Sequence, residues 1–191
     1  MNYLPRLDPE FYRGDAAVHW TLSIFDRKRG WLTPSFHFQF RELMLHVAAR
    51  EGLFCPSYCL MPDHLHIMWL GLRPDTDQRN GMSFLRSHLK PLLSPYKLQP
   101  QAHDHVLRDD EREKGAFVKI CFYILANPIR AELIVEKGFW SYSGAIVPGY
   151  PKLNPLDAGY WPLFWKLYQE RRQPDAGDRK RPYREINQSE S

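Results

Sequence analysis

The order of the predicted elements indicates an α+β fold, in which helices cover an antiparallel sheet of the ferredoxin-like (RRM-like) kind. Three observations support this prediction. Short runs are rich in β-branched and aromatic residues, apolar residues recur at helical spacing between those runs, and turn residues separate the segments. Along the chain they give a strand, a helix, two strands, a helix, a weak strand and a helix.

The first half of the chain supplies a strand, a helix and a pair of strands. Residues 17–25, AVHWTLSIF, are predicted to form a strand that the charged turn DRKRG follows. A helix is predicted to begin near Thr33-Pro34-Ser35 and to end at Gly52. Residues 53–60 and 64–72 are predicted to be an antiparallel strand pair joined by a turn at Met61-Pro62-Asp63. The apolar face of the helix consists of Phe36, Phe40, Leu43 and Val47.

The second half of the chain is predicted to be mainly helical. Residues 78–98 show an apolar helical face, and Pro91 should kink or end that helix. Residues 99–110 are interpreted as a loop with room for a short strand. A further helix should run from about Glu111 to Ala126, because Asn127-Pro128 disfavours its continuation. The last predicted helix packs on the body of the domain through Trp161, Phe164, Trp165 and Tyr168.

Length and composition predict one main domain with an appendage. The chain has 191 residues, 43% of them hydrophobic, which is enough for a single core. We assign residues 1–150 to this domain, 151–172 to a C-terminal helical extension and 173–191 to a disordered, polar tail.

Charge and cysteine usage bound the environment and the partners. The formal net charge of +4 is compatible with a polyanionic partner without requiring one. Three cysteines without a CxxC spacing favour a reducing compartment, and we expect a cytoplasmic location. The N-terminus does not have the pattern of a secretory signal, and no apolar run approaches the roughly 20 residues that cross a bilayer. No membrane association is therefore predicted.

The stretch CLMPDHLHIMWL contains the first candidate site. In a strand, alternate side chains share a face, so His64 and His66 should project together while Leu65 and Ile67 point into the core. Imidazole nitrogens suit first-row divalent ions, and two such ligands leave coordination positions open for substrate oxygens. The pattern predicts a catalytic metal site rather than a closed structural one.

Two alternatives for metal binding remain open. The triplet His103-Asp104-His105 repeats the spacing but is expected in a polar loop, where no sheet would anchor both rings; we interpret it as mainly structural. Cys55 and Cys59 are expected on one strand face as small buried hydrophobes, and a zinc site joining them to His64 is the less favoured alternative. A zinc hydrolase would need a further ligand.

Tyr123 is the candidate nucleophile. It stands near the end of the predicted helix, with Lys119 four residues before it and Asn127 four residues after it, so all three lie near one helix face. A tyrosine in a helix is more often a core or interface residue. Spacing alone therefore leaves both roles open.

Several motifs together resemble one family. MPDHLHIMW precedes Tyr123-Ile124, Asn127-Pro128-Ile129-Arg130 and Trp140-Ser141-Tyr142-Ser143, and HDHVLRDDE lies upstream of the tyrosine. This order resembles the HUH single-tyrosine transposases, specifically the REP-associated tyrosine transposases and their insertion-sequence relatives, over roughly residues 15–147. The WSYS segment also fits a packed aromatic corner with a polar edge.

The resemblance implies a metal-dependent DNA transposase, an endonuclease and strand transferase that cleaves single-stranded, hairpin-containing DNA through a 5′-phosphotyrosine intermediate. It implies that His64 and His66 bind Mg²⁺ or Mn²⁺, that Tyr123 is the nucleophile, and that Asn127 is a helper or third metal ligand. An inactive or domesticated protein that binds structured DNA or RNA is the alternative. The oligomeric state, monomer or homodimer, remains open.

Basic side chains are the expected contacts to DNA phosphates. A plain solvated role is the alternative for each of them. The candidates are Arg79, Arg86, Lys90, Lys97, Arg108 and Lys119.

Overall fold

The computed structural model describes residues 6–108, 115–135 and 140–173. This part of the chain contains five strands and four α-helices. Two short 3₁₀ helices, Pro9–Tyr12 and Phe25–Arg27, flank the first strand. The main elements are β1 (Ala17–Ser23), α1 (Pro34–Glu51), β2 (Leu53–Met61), β3 (His64–Gly71), α2 (Gln78–Leu93), β4 (His103–Val106), α3 (Ala116–Arg130), β5 (Ser143–Ile146) and α4 (Tyr160–Arg171).

The strands form one antiparallel sheet in the order β4-β1-β3-β2-β5. The first four strands of this order, with α1 and α2 as crossovers, give the ferredoxin-like arrangement, so the predicted α+β fold is confirmed. The fifth strand pairs with the outer edge of β2, and sequence reasoning did not predict it.

Both faces of the sheet are buried, and each carries its own core. On one face, Trp20 and Ile67 pack with α1 and α2, including Leu85. On the other face, Met68 packs with α3 and α4, including Ile124. Because side chains alternate along a strand, β3 contributes to both cores in turn.

A register irregularity in β2 separates Cys55 from Cys59. The pairing shifts between Phe54 and Ser57, so Cys55 joins the core under α1 and α2 while Cys59 joins the core under α3 and α4. Our expectation that both thiols share a face was wrong, because the bulge resets the alternation of side chains. Both cysteines are buried, as predicted.

Helix α1 begins and ends as its capping residues predict. The Thr33 hydroxyl accepts a hydrogen bond from the Phe36 amide, and Pro34 occupies the first turn. Gly52 closes the helix with a φ of 65°, a left-handed conformation that favours glycine. In α2, Pro91 lies in the last turn and the helix ends at Leu93.

Helix α3 continues beyond the predicted stop at Asn127-Pro128 and ends at Arg130. Pro128 has no N–H to donate to the carbonyl of Ile124. The side-chain amide nitrogen of Asn127 donates to that carbonyl instead, at 3.2 Å, and to the carbonyl of Tyr123 at 2.9 Å. The helix therefore tolerates the proline. Of the predicted N-terminal part, residues 111–114 lie outside the described residues.

The triplet His103-Asp104-His105 lies in a strand rather than in an unanchored loop. It forms most of β4 and pairs with β1, so that Thr21 lies opposite His103 and His19 opposite His105. The short strand that the sequence allows within residues 99–110 is therefore present. The expectation that no sheet would anchor the triplet was wrong, because this edge strand has few apolar residues and lacks the alternation by which strands are recognised.

The last helix, α4, packs on the same sheet face as α3. Phe164 is fully buried, and two tyrosine hydroxyls donate to backbone carbonyls below, Tyr160 to Pro56 at 2.6 Å and Tyr168 to Gly71 at 3.0 Å. Of the predicted tail, residues 174–191 lie outside the described residues. No helix in the described ranges is long and apolar enough to span a membrane.

Candidate active site

The two histidines of β3 converge as predicted. Their Nε2 atoms are 3.0 Å apart, and the rings stand at 89° to each other with centroids separated by 4.7 Å. Leu65 and Ile67 belong to the core on the opposite face. His64 and His66 therefore share the face of the sheet that α3 covers.

Each ring is held by its other nitrogen. His64 Nδ1 lies 2.6 Å from Asp63 Oδ1, and His66 Nδ1 lies 3.1 Å from His19 Nε2 and 3.2 Å from Thr21 Oγ1. An ionised carboxylate can only accept, so His64 donates from Nδ1; in the neutral form of the ring, Nε2 then carries the lone pair. When His66 donates from Nδ1 to His19 or Thr21, the lone pair on its Nε2 points towards Nε2 of His64. Both would then be directed at one ligand position.

Burial keeps the inner imidazoles neutral. It lowers the pKa of His66 to about 3, and the charges of His19, His64, Arg27 and Arg130 act in the same direction. Burial also lowers the pKa of His19 to about 4, helped by His105 and His103. A neutral imidazole is the form that binds a metal ion.

Asp63 is held in its charged form by its neighbours. Partial burial acts to raise the pKa of this carboxyl group, but the hydrogen bond and charge of His64 and the nearby Arg27 and Arg29 outweigh it, and the pKa is lowered. Arg27 Nη1 lies 3.5 Å from Asp63 Oδ2. The carboxylate can therefore act as the acceptor that orients His64.

Tyr123 on α3 lies over the histidine pair. Its ring centroid is 6.5 Å from that of His66, with the rings near perpendicular, and 45% of the residue is exposed. The guanidinium carbon of Arg130 lies 4.4 Å from the Tyr123 ring centroid. The structure thus brings the predicted nucleophile and the predicted metal ligands together.

Asn127 lies one turn after Tyr123. Its amide nitrogen is used within the helix, so only its carbonyl oxygen could serve as the third ligand that we predict. Among the described residues, no group of three or more His, Cys, Asp or Glu side chains is arranged to hold an ion. Two imidazoles with oxygen ligands fit a divalent ion with open positions, and the predicted Mg²⁺ or Mn²⁺ stays a prediction.

The structure separates some predicted DNA contacts from the histidine pair. Arg79, Arg86 and Lys90 are on α2, which packs on the opposite face of the sheet. Arg86 also donates to the carbonyls of Gln99, at 2.6 Å, and Pro100, at 3.0 Å. These positions cannot contact a phosphate bound at the histidines.

The other predicted contacts are exposed and belong to different surroundings. Lys119 lies one turn before Tyr123 on α3. The carbonyl of Lys97 accepts from the Phe25 amide at 2.7 Å, so this lysine neighbours the turn that contains Arg27. Arg108 follows β4 and is exposed.

Sequence reasoning missed the arginines nearest to the site, which are Arg27, Arg29 and Arg130. The segment DRKRG was interpreted only as a charged turn, and Arg130 only as part of a motif. The turn lies at the site because β1 pairs with β3 so that Ser23 lies opposite His64, which places the residues after β1 beside Asp63. Only the pairing of the strands reveals this neighbourhood.

Comparison with solved structures gives a similar fold. The structure of a REP-associated tyrosine transposase bound to a REP hairpin superposes with a TM-score of 0.60 and 18% sequence identity, covering 75% of this chain and 82% of that chain. No protein-family model matches the chain, and no curated protein matches its sequence. The similarity at this identity concerns the fold.

Proposed function

We propose that this protein is a metal-dependent tyrosine transposase that cleaves and joins single-stranded DNA next to hairpins. The observation that carries the proposal is the position of the exposed Tyr123 ring, 6.5 Å from His66, above two Nε2 atoms that face each other at 3.0 Å. The similar fold of a transposase bound to a REP hairpin supports the DNA substrate.

Cleavage would proceed by attack of the Tyr123 hydroxyl on a backbone phosphate. The tyrosyl oxygen forms a bond to phosphorus, and the bond from phosphorus to the 3′ oxygen breaks. The phenolic proton passes to water, and the leaving 3′ oxygen gains a proton. The products are a 5′-phosphotyrosine and a free 3′-hydroxyl.

The same residues would also join strands. The phosphotyrosine ester retains the free energy of the broken phosphodiester, so a second 3′-hydroxyl can displace Tyr123 without a nucleotide cofactor. Cleavage and joining are therefore the two directions of one reaction.

His64 and His66, with the carbonyl oxygen of Asn127, would hold the divalent ion. Mg²⁺ or Mn²⁺ bound there supplies positive charge to the reacting phosphate. The protein's own contribution is orientation: Asp63, His19 and Thr21 fix the imidazole rings, and α3 fixes the tyrosine.

DNA binding would use the cations on the side of the histidine pair. Lys119 lies on α3 beside Tyr123, and Lys97 lies near the basic turn. Arg108 would contact DNA beyond β4. Arg79, Arg86 and Lys90 would contact only DNA that passes around to the α2 side of the domain.

The test is the formation of a covalent adduct with a labelled, hairpin-forming single-stranded oligonucleotide in Mn²⁺. We expect an adduct for the wild type, none for Tyr123→Phe and none after chelation. Tyr150→Phe, at a tyrosine that is 37% exposed in the segment after β5, is the matched control and should form the adduct normally.

Two outcomes would contradict the proposal. An undiminished adduct in Tyr123→Phe would assign the nucleophile elsewhere. Tight hairpin binding by the wild type without any adduct would favour the alternative, a binding protein that no longer cuts.

A further inference from the structure

We propose that Arg130 is a catalytic residue, whose guanidinium contacts the scissile phosphate while holding the nucleophile's ring. This role rests on the proposed function and adds to it a residue that acts in the chemical step. It follows from the position of Arg130 on α3 and from the geometry of its contact with Tyr123.

The continuation of α3 beyond Pro128 puts Arg130 above the site. Residues at i, i+4 and i+7 share one helix face, so Tyr123, Asn127 and Arg130 form a row. A helix that ended at Asn127 would release Arg130 from this row. The amide of Asn127, which donates to the carbonyls of Tyr123 and Ile124, keeps the last turn helical.

The contact with Tyr123 fixes both partners. The guanidinium carbon lies 4.4 Å from the ring centroid, within the range of a cation–π interaction. Tyr123 and Arg130 are both exposed, so their interaction contributes little to a core. A planar guanidinium that stacks on a ring keeps its edge N–H groups available for phosphate oxygens.

Arg130 is placed near the histidine pair through Tyr123. The Tyr123 ring centroid lies 6.5 Å from that of His66, and the guanidinium carbon of Arg130 lies 4.4 Å from the same tyrosine ring. A phosphate within reach of both the Tyr123 hydroxyl and the imidazoles would therefore lie close to this guanidinium group. Among the described residues, Arg130 is the basic side chain that stacks on the ring of Tyr123.

In the chemical step, Arg130 would stabilise charge without exchanging a proton. As the tyrosyl oxygen bonds to phosphorus and the 3′ oxygen leaves, negative charge grows on the non-bridging and bridging oxygens. A guanidinium stays protonated throughout and can donate two hydrogen bonds to those oxygens. The phenolic proton still passes to water.

The experiment separates binding from chemistry in Arg130→Met, Arg130→Lys and Arg50→Met. Arg50 is the matched control, because its guanidinium carbon lies 4.6 Å from the Phe84 ring centroid on the opposite side of the sheet. For each variant, hairpin affinity is measured in chelator, and the single-turnover rate of adduct formation is measured in saturating Mn²⁺. Thermal unfolding checks the fold of each variant.

We expect Arg130→Met to form the adduct about 100-fold more slowly, the size of effect that loss of one charge-stabilising donor produces. Hairpin affinity should fall by much less, because a single phosphate contact is lost among many. Arg130→Lys should be intermediate, since it keeps the charge but loses the planar fork. Arg50→Met should match the wild type.

Three results would overturn this role. Equal losses of affinity and rate in Arg130→Met would make Arg130 a DNA-binding residue only. An unchanged rate would remove it from the reaction, while the wild-type adduct would leave the proposed function standing. No adduct in the wild type would overturn both proposals.

Discussion

At the scale of single residues, the site depends on the groups that hold the two imidazoles. Asp63 belongs to the turn before β3, whereas His19 and Thr21 come from β1. The pair is thus supported unequally, with a charged acceptor on His64 and neutral partners on His66. This asymmetry makes Asp63 the residue whose loss should affect ion binding most directly.

Replacing Asp63 by alanine should weaken Mn²⁺ binding by about 10-fold or more, the usual effect of losing a partner that orients a ligating histidine. The affinity can be measured by calorimetry on the DNA-free protein. Asp75→Ala is the control, because that carboxylate pairs with Arg73 at an exposed position. An unchanged affinity in Asp63→Ala would show that the His64 ring needs no such support.

The positions of His64, His66 and Tyr123 were predictable from sequence, whereas their supporting residues were not. Strand alternation suffices to place two histidines on one face. By contrast, Thr21 lies opposite His66 only through the register of β1 with β3, which no local pattern specifies. The catalytic and metal-binding roles themselves stay predictions until they are tested.

At the scale of elements, the clearest difference between expectation and structure is the end of α3. The rule that a helix ends before a proline is steric and concerns the backbone. It does not include a side chain that donates to the orphaned carbonyl, as Asn127 does. Elements with standard caps, such as α1, were predicted closely because their signals are local.

A double-mutant cycle at Asn127 and Pro128 tests this account. Asn127→Ala should cost on the order of 1 kcal/mol of unfolding free energy, since it leaves a helix carbonyl without its donor. In the Pro128→Ala background, the restored N–H should donate to Ile124 and the cost should shrink. Urea unfolding of the wild type, the two single variants and the double variant measures the cost of Asn127→Ala in each background. Equal costs in the two backgrounds would contradict the explanation.

At the scale of the whole molecule, three buried or half-buried histidines link stability to pH. Burial lowers the pKa of His19 and His37 to about 4 and that of His66 to about 3. In the unfolded chain the pKa of each imidazole would be about 6.5. Between the folded and the unfolded pKa, the unfolded state therefore binds more protons than the folded state. The stability that these neutral imidazoles contribute is complete above about pH 6.5 and is lost as the pH falls towards 4.

We expect the unfolding free energy, measured with urea in chelator, to fall by a few kcal/mol between pH 7 and pH 5. Each unit of pKa difference between the folded and unfolded states corresponds to about 1.36 kcal/mol of unfolding free energy. The contribution of His37 is smaller than its pKa difference implies, because this side chain is partly exposed to solvent. His37→Gln should make the unfolding free energy depend less steeply on pH, because the variant lacks one of the three imidazoles that take up a proton on unfolding. A flat profile would mean that these histidines take up protons equally in the folded and unfolded states, so that their pKa values are not lowered by folding.

The two cores of the sheet have a practical consequence for anyone who modifies this protein. Side chains under α1 and α2 lie behind the sheet from every group that we assign to the reaction. Substitutions that improve packing in the core under α1 and α2 can therefore raise thermal stability without changing the sheet face that carries the histidines. A mutant library that is meant to raise stability should be directed to α1 and α2. A library that is meant to alter activity should be directed to α3 and the turn after β1.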